Sequence, residues 1–281
     1  MSSSWLPNRF GGREYLEAID FLKGLHTALA EHAPDTITIA EESTAFPHVT
    51  GAVADGGLGF AGKWDMGWMH DRLEYFEVDP LFRKAQHGKL TFRAMYAGSE
   101  RFVLPLSHDE VVHLKKSLAQ KMPGDLWQKL ANLRLLFADL IVQPGKKLLF
   151  MGGELAQWRE WNHDQSLDWH LLERPEHEGV RQWLKELLRL YREESALHQH
   201  DARPDLGFAW LDCSDAERSL LAVLRRGKEG TAPILAVLNF TPVPRENYRI
   251  GVPSEEGESS RWVEIANSDD VLYGGTGRGN A

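Results

Sequence analysis

The sequence predicts an α/β fold built on a parallel sheet, followed by a small all-β unit. Three observations carry this. A buried-looking strand that ends in acidic residues, then a loop and a helix, occurs at 36–42, 102–110 and 147–154, with a fourth strand–acid run at 60–65. Strands alternating with helices need crossover connections and therefore a parallel sheet. Beyond about residue 205 the helical period disappears, and short strands follow one another between turns. No internal repeat of fixed period and no low-complexity tract is present.

Each element has a local reason. Residues 5–12, Trp-Leu-Pro-Asn-Arg-Phe-Gly-Gly, read as a loop broken by Pro7 and Gly11-Gly12. From Arg13 to Glu31, Leu16, Ile19, Leu22, Leu25 and Leu29 recur at helical spacing, and Pro34 ends the helix. Thr36 to Ala40 is β-branched and reads as a strand; it runs directly into Glu41-Glu42-Ser43-Thr44. A Gly-rich segment, 51–62, leads to Lys63-Trp64-Asp65, and residues 80–96 are expected to be helical. Phe102 to Leu106 is a short apolar strand that stops at Ser107-His108-Asp109-Glu110.

Asp125 suits the N-cap of a helix through Val142, with Leu126, Leu130, Leu133, Phe137 and Ile141 along one stripe. Gln143-Pro144-Gly145 breaks it. Lys147 to Met151 is the next strand and ends in Gly152-Gly153-Glu154. After a Trp-rich loop, 157–169, a helix is expected from about Glu178 to Leu197, with Trp183 on its core face. Strands at 208–212, 220–224, 234–240 and 261–265 make the all-β unit.

Composition narrows the function classes. A net charge of −9 over 281 residues argues against a nucleic-acid backbone as partner. The single cysteine, Cys213, allows no internal disulfide and makes a thiolate metal site implausible. Met1-Ser-Ser-Ser-Trp5 has neither a basic nor an apolar leader pattern. The apolar run from Leu135 to Val142 is too short to span a bilayer. The expectation is a soluble, cytoplasmic protein without a membrane partner. Seven of the ten tryptophans fall at or before Trp169; such a surplus marks a large core or platforms for flat ligands such as sugar rings.

In parallel α/β barrels, catalytic groups sit just past the carboxyl ends of strands. Glu41 and Asp109 both stand there. Paired carboxylates flanking a glycosidic bond supply a general acid and, in retaining enzymes, a nucleophile about 5–5.5 Å away. An acidic doublet is usually a solvated pair, but Glu41 follows a run that should be buried, and partial desolvation favours the protonated carboxyl that a proton donor needs. Ser107 to Glu110 also reads as an ordinary helix N-terminus. His108 is no triad member, because there is no Gly-x-Ser-x-Gly elbow. Its spacing of five from His113 gives weak support for a metal. A clamp donating hydrogen bonds to sugar hydroxyls is its simplest use. Trp158, Trp161 and Trp169 either stack on glucose rings or pack beneath their loop. Lys115-Lys116 reads as a solvated pair, and Cys213 as a small residue without a role.

Longer motifs sharpen this: Thr38-Ile-Ala-Glu41-Glu42-Ser-Thr, Lys63-Trp-Asp-Met-Gly-Trp-Met-His-Asp71, Phe102-Val-Leu-Pro-Leu-Ser-His-Asp-Glu-Val-Val-His113, Met122-Pro-Gly-Asp125, Pro144-Gly-Lys-Lys-Leu-Leu-Phe-Met-Gly-Gly153 and Arg159-Glu-Trp-Asn-His-Asp-Gln-Ser-Leu-Asp-Trp169. Together they resemble bacterial 1,4-α-glucan (glycogen) branching enzyme, of the α-amylase superfamily, from Trp5 onward. The resemblance implies the second half of a (β/α)8 TIM-type barrel over residues 1–200, strands five to eight, and a truncated β-sandwich domain over 205–281. It implies Glu41 as general acid/base and His108 and Asp109 as transition-state stabilisers, displacing Asp109 as nucleophile. Glu42, Trp64, Trp158 and Trp161 are then expected to bind substrate. No cofactor and no metal is implied, and the full-length protein is expected to be a monomer.

The departures are as informative. The family's nucleophilic aspartate belongs to a Gly-Phe-Arg-x-Asp segment, and none occurs in these 281 residues. The chain is therefore expected to be a carboxyl-terminal fragment, inactive alone and with open strand edges. Leu114 and Gly153 stand where the family has Gly and Asn, and Leu155 where it has Phe. Two rival expectations remain: a hydrolytic relative, isoamylase-like or trehalose-releasing, and a noncatalytic α-glucan-binding module.

Overall fold

The computed structural model describes residues 6–253 and 261–279. Trp5, Asn280 and Ala281 lie outside them. Four parallel strands, β1 (Ile39–Ala40), β2 (Gly62–Trp64), β3 (Phe102–Leu106) and β4 (Lys146–Leu149), form one sheet in sequence order. Ala40 lies beside Lys63, Trp64 beside Val103, and Leu106 beside Leu149. Consecutive parallel neighbours form an arc of a (β/α)8 barrel, with outer helices joining β2 to β3 and β3 to β4 and a loop with one 3₁₀ turn, Val53–Asp55, joining β1 to β2.

Helix α1 (Leu16–His32) precedes the sheet. α2 (Met66–Glu77) and the short α3 (Gly88–Thr91) lie between β2 and β3. α4 (Leu118–Lys121) and α5 (Leu126–Val142) lie between β3 and β4, and α6 (Pro175–Glu193) and α7 (Pro204–Gly207) follow β4. The second sheet is antiparallel, in the order β5 (Phe208–Asp212), β6 (Leu220–Arg225), β7 (Ile234–Asn239).

β3 is buried at every position, as an apolar strand with neighbours on both edges should be. Asp125 caps α5 as expected: its carboxylate accepts from Gln128 N at 2.9 Å, and the Gln128 side chain accepts from Asp125 N at 2.8 Å, a capping box worth about 1 kcal/mol. One continuous core joins α2, α5, α6 and β3 to the second sheet, running through Trp68, Leu104, Phe137, Trp183, Val223 and Phe240.

Buried arginines tie the helices around the parallel sheet to the second sheet and to the segment after it. Arg83 donates to Phe76 O, Val78 O and Phe240 O at 2.8–3.0 Å. Arg225 of β6 donates to Val142 O at the end of α5, at 2.8 Å, and pairs with Asp201 at 2.9 Å. Arg134 of α5 donates to Ser268 O at 2.9 Å. Desolvation pushes Arg83 and Arg134 down to about 10, so both keep their charge at neutral pH.

Four expectations change. The helix expected over 80–96 is confined to 83–95 and divided into a 3₁₀ turn at 83–86, α3 and a 3₁₀ turn at 92–95, with Arg83 and Arg93 both turned inward. The strand expected from Thr36 starts only at Ile39, since β1 is an edge strand whose ladder has β2 alone as partner. The helix after β4 starts earlier, with Pro175 at its first turn, and ends at Glu193; a 3₁₀ turn follows at Ser195–Leu197. Residues 261–265 are exposed and form no strand, as no neighbouring strand lies beside them among the described residues. α1 packs on a small cluster of Ala40, Val49 and Leu58, leaving Phe21 and Leu25 of the helix exposed. Among the described residues no helix is long and apolar enough to cross a membrane.

Candidate active site

Glu41 directly follows β1 and is exposed, and among the described residues its carboxylate has no hydrogen-bond or ion-pair partner. The partial desolvation expected from the sequence is not supplied here: β1 is two residues long and lies at the sheet edge, so little covers the carboxylate just past its end. Glu42 turns inward. Its Oε2 lies 2.6 Å from Lys63 Nζ, its Oε1 accepts from Thr44 N at 2.6 Å, and Lys63 donates to Thr44 O at 2.9 Å. Burial pushes the Glu42 carboxyl up, but Lys63 and Thr44 outweigh it and hold the group below its ordinary 4.5. Glu42 thus braces the loop after β1 through the buried Lys63 of β2.

Trp64 is half-buried at the end of β2. The adjacent Asp65 is committed to structure. It caps α2 by accepting from Trp68 N at 2.9 Å, and takes Arg93 Nε at 2.7 Å and the Tyr96 hydroxyl at 3.1 Å. Burial and the Asp65 charge push the Tyr96 phenol up.

At the end of β3 the helix start read from the sequence is present. A single 3₁₀ turn covers His108–Glu110; Ser107 Oγ accepts from Asp109 N at 3.3 Å, and Glu110 accepts from Ser107 N at 2.5 Å. The cap absorbs Ser107 and buried Glu110 and leaves His108 and Asp109 half-exposed, with Nε2 and Oδ1 3.3 Å apart. The His108 ring lies 5.7 Å from that of Phe150, just past β4, and Phe150 meets Trp161 edge-on at 5.1 Å. Beneath them is a cavity of about 20 Å³ lined by Leu106, Ser107, Val111, Phe150 and Trp161, room for about one water.

The loops after β3 and β4 are joined by Trp161 N donating to Val111 O at 3.0 Å and Ser117 Oγ donating to Trp158 O at 2.8 Å. Trp158 and Trp169 are exposed, at 40% and 56%, whereas Trp161 is half-buried. Trp183 is core, as expected, its indole donating to Arg134 O at 2.8 Å.

The structure therefore gathers His108, Asp109 and Trp161 into one wall. Glu41 lies on the same carboxyl-end rim but two strands away, about 10 Å laterally at ordinary strand spacing, and no hydrogen bond or ion pair joins it to His108 or Asp109 among the described residues. Lys115 and Lys116 are exposed and Cys213 is half-buried. Sequence reading misses Phe150, which it places simply in the strand, and Glu160, whose carboxylate accepts from the amides of Leu114 and Lys116. No local pattern marks either role. Among the described residues no group of three His, Cys, Asp or Glu could hold a metal ion. The rim offers a free carboxylate able to exchange a proton, a His–Asp pair able to bond hydroxyls, and an aromatic wall.

The description "Alpha amylase, C-terminal all-beta domain" matches residues 210–281. The chain is 58% identical over 276 residues to the 1,4-alpha-glucan branching enzyme GlgB of Thiobacillus denitrificans, covering 98% of this chain and 37% of that protein. It is 57% identical over 279 residues to the same enzyme of Pseudomonas syringae pv. tomato, covering 99% and 37%. The chain thus spans about 37% of the length of these relatives. Among solved structures it is similar to a pullulanase complexed with maltotetraose from Anoxybacillus, at a TM-score of 0.55 and 17% identity, covering 79% of this chain and 36% of that one. A cyclomaltodextrinase gives a TM-score of 0.53 at 17% identity, covering 78% and 34%. At that identity the two structures speak for the fold.

Proposed function

The chain is a homologue, over nearly its whole length, of the bacterial 1,4-alpha-glucan branching enzymes, and on that premise we propose that its chemistry is α-glucan branching. An α-1,4 link is cleaved, the glucan segment is held as a covalent ester on an aspartate, and the segment passes to a 6-hydroxyl of an acceptor glucan. Glu41 first protonates the leaving oxygen and then deprotonates the acceptor hydroxyl. His108 and Asp109 bind sugar hydroxyls and stabilise the transition state, with Trp64, Trp158 and Trp161 contacting the chain.

The observation that carries this reading is 58% identity across 276 of the chain's residues. The free Glu41 carboxylate and the half-exposed His108–Asp109 pair on one rim support it. Glu42, also expected to bind substrate, directs its oxygens to Lys63 and Thr44 and would act from that position. The same reading puts the barrel portion at 1–200 and the β domain at 205–281, and implies a cytoplasmic monomer acting on glycogen-like chains. It also implies that these 281 residues alone do not turn over, because no Gly-Phe-Arg-x-Asp segment is among them.

A chimera tests it. This chain replaces the corresponding segment of the Thiobacillus denitrificans relative, and the product is assayed for new branches in amylose by iodine staining and debranched chain length. The chimera is expected to branch amylose while the isolated chain does not. Glu41→Gln in the chimera should cost several orders of magnitude in rate and Glu42→Gln far less. Reducing ends released without new branches would instead mean hydrolysis, and the reverse ranking of the two variants would reassign the acid.

A further inference from the structure

The loop after β3 holds three non-glycine residues in the left-handed region within four positions: His113 at φ 56°, Leu114 at 66° and Lys116 at 69°. Such backbone is unfavourable for residues with a Cβ and persists only where the surroundings enforce it. The Glu160 carboxylate bridges two amides of this stretch, while Lys121 donates to Lys115 O beside them. One oxygen accepts from Leu114 N at 3.0 Å and the other from Lys116 N at 2.6 Å. Amides converging from left-handed backbone form a concave anion site, and here a side chain from the loop after β4 fills it. The contacts on either side, Trp161 N to Val111 O and Ser117 Oγ to Trp158 O, fasten the same two loops.

We propose that Glu160 is a positioning residue that locks the loops after β3 and β4 into one glucan-contacting wall carrying His108, Asp109, Trp158 and Trp161. The glucan part rests on the function proposed above; the lock itself does not. Glu160 touches no reacting atom in this assignment. It acts through the shape of residues 113–116, which sit between the His–Asp turn and α4. Where a glycine would adopt this backbone unaided, Leu114 needs the clamp.

Lys115 and Lys116 are exposed in that loop and make it readable by trypsin. Mass spectrometry follows peptides ending at either lysine in the folded chain, with thermal unfolding as the control for overall fold. Glu160→Ala should speed cleavage there at least tenfold while other sites keep their rates. Glu160→Gln should fall between, since an amide keeps one acceptor oxygen but meets the second N–H with a donor. Adding Leu114→Gly to Glu160→Ala should restore most of the protection. Equal cleavage of wild type and Glu160→Ala overturns the lock.

Maltoheptaose titration followed by tryptophan fluorescence reads the positioning role separately. Glu160→Ala should weaken binding at least fivefold, and the double variant should regain it. Wild-type binding with no loss in Glu160→Ala overturns the positioning role. If the wild type binds no maltoheptaose, the positioning role is overturned, the tryptic rates decide the lock, and the chimera assay decides the glucan reading separately.

Discussion

Glu42 and Lys63 meet at 2.6 Å where the ends of β1 and β2 face one another, while the adjacent Glu41 carboxylate stands free in solvent. The doublet divides into a brace and a free acid. Replacing Glu42 by Gln leaves a buried ammonium without its counter-charge and should cost about 1–3 kcal/mol. Glu41→Gln removes no contact within the chain and should stay within about 0.5 kcal/mol of wild type. Urea unfolding of the two variants checks this; equal losses would undo the division of roles.

The same brace gives a pH dependence with a definite sign. Glu42 is held below 4.5 in the folded chain, so the unfolded state takes up its proton first as pH falls. The stabilisation is complete above 4.5 and is lost as pH drops through the lower, folded value. The stability gap between wild type and Glu42→Gln should therefore be flat from about pH 7 to 5 and close below 4.5, measured by urea midpoints at each pH. A gap that widened on acidification would mean that Lys63 is not the partner that matters.

Much of this arrangement is legible in the sequence, and the reasons are local. β3 is an unbroken apolar run with neighbours on both sides, and the Asp125 cap declares itself within four residues, so both lie where sequence places them. β1 is shorter than its β-branched run because pairing needs a second strand, which composition does not report. Residues 80–96 break up because Arg83 and Arg93 seek partners far away in sequence, Phe240 O and Asp65. The candidate acid and the His–Asp turn can be picked out by chemistry at strand ends. Glu160 cannot, since its partners are backbone amides in conformations that ordinary residues do not advertise.

Leu114 offers a direct measure of the conformational cost in that loop. It is 94% exposed at φ 66°, so its side chain contributes almost no burial while its Cβ disfavours the backbone. Leu114→Gly removes the penalty of about 1–2 kcal/mol and returns part of it as extra freedom in the unfolded chain. The net expectation is a gain of about 0.5–1 kcal/mol, read as a higher melting temperature. A loss would show that the leucine side chain packs against something in solution.

Arg83 should be far less forgiving. Its guanidinium satisfies Phe76 O and Val78 O at the end of α2 and Phe240 O just past β7, and its Cζ lies 5.6 and 5.4 Å from the ring centroids of Tyr75 and Phe76. Arg83→Met keeps much of the volume but leaves three carbonyls short of a donor. At about 1–3 kcal/mol for each buried group left unsatisfied, partly relieved by relaxation, the loss should exceed about 3 kcal/mol. Because the contact ties the helices around the parallel sheet to the second sheet, the variant should also separate the unfolding of the barrel strands from that of β5–β7, visible as a second transition in calorimetry.

At Gly179 helix propensity and packing disagree. It lies inside α6, where alanine ordinarily gains about 0.5–1 kcal/mol over glycine. A Cβ at this position would stand 2.8 Å from both the carbonyl carbon and oxygen of Tyr273, backbone atoms that cannot swing aside as a side-chain tip can. The nearby Tyr273 ring packs 5.0 Å from that of Trp183, so the segment cannot lift without uncovering the core. Overpacking of this kind costs about 1–3 kcal/mol, enough to reverse the helical gain. Gly179→Ala should therefore lower the melting temperature, and should expose residues 271–273 to faster amide exchange than the rest of the chain. A stabilised variant with unchanged exchange would place that segment farther from α6 than the structure does.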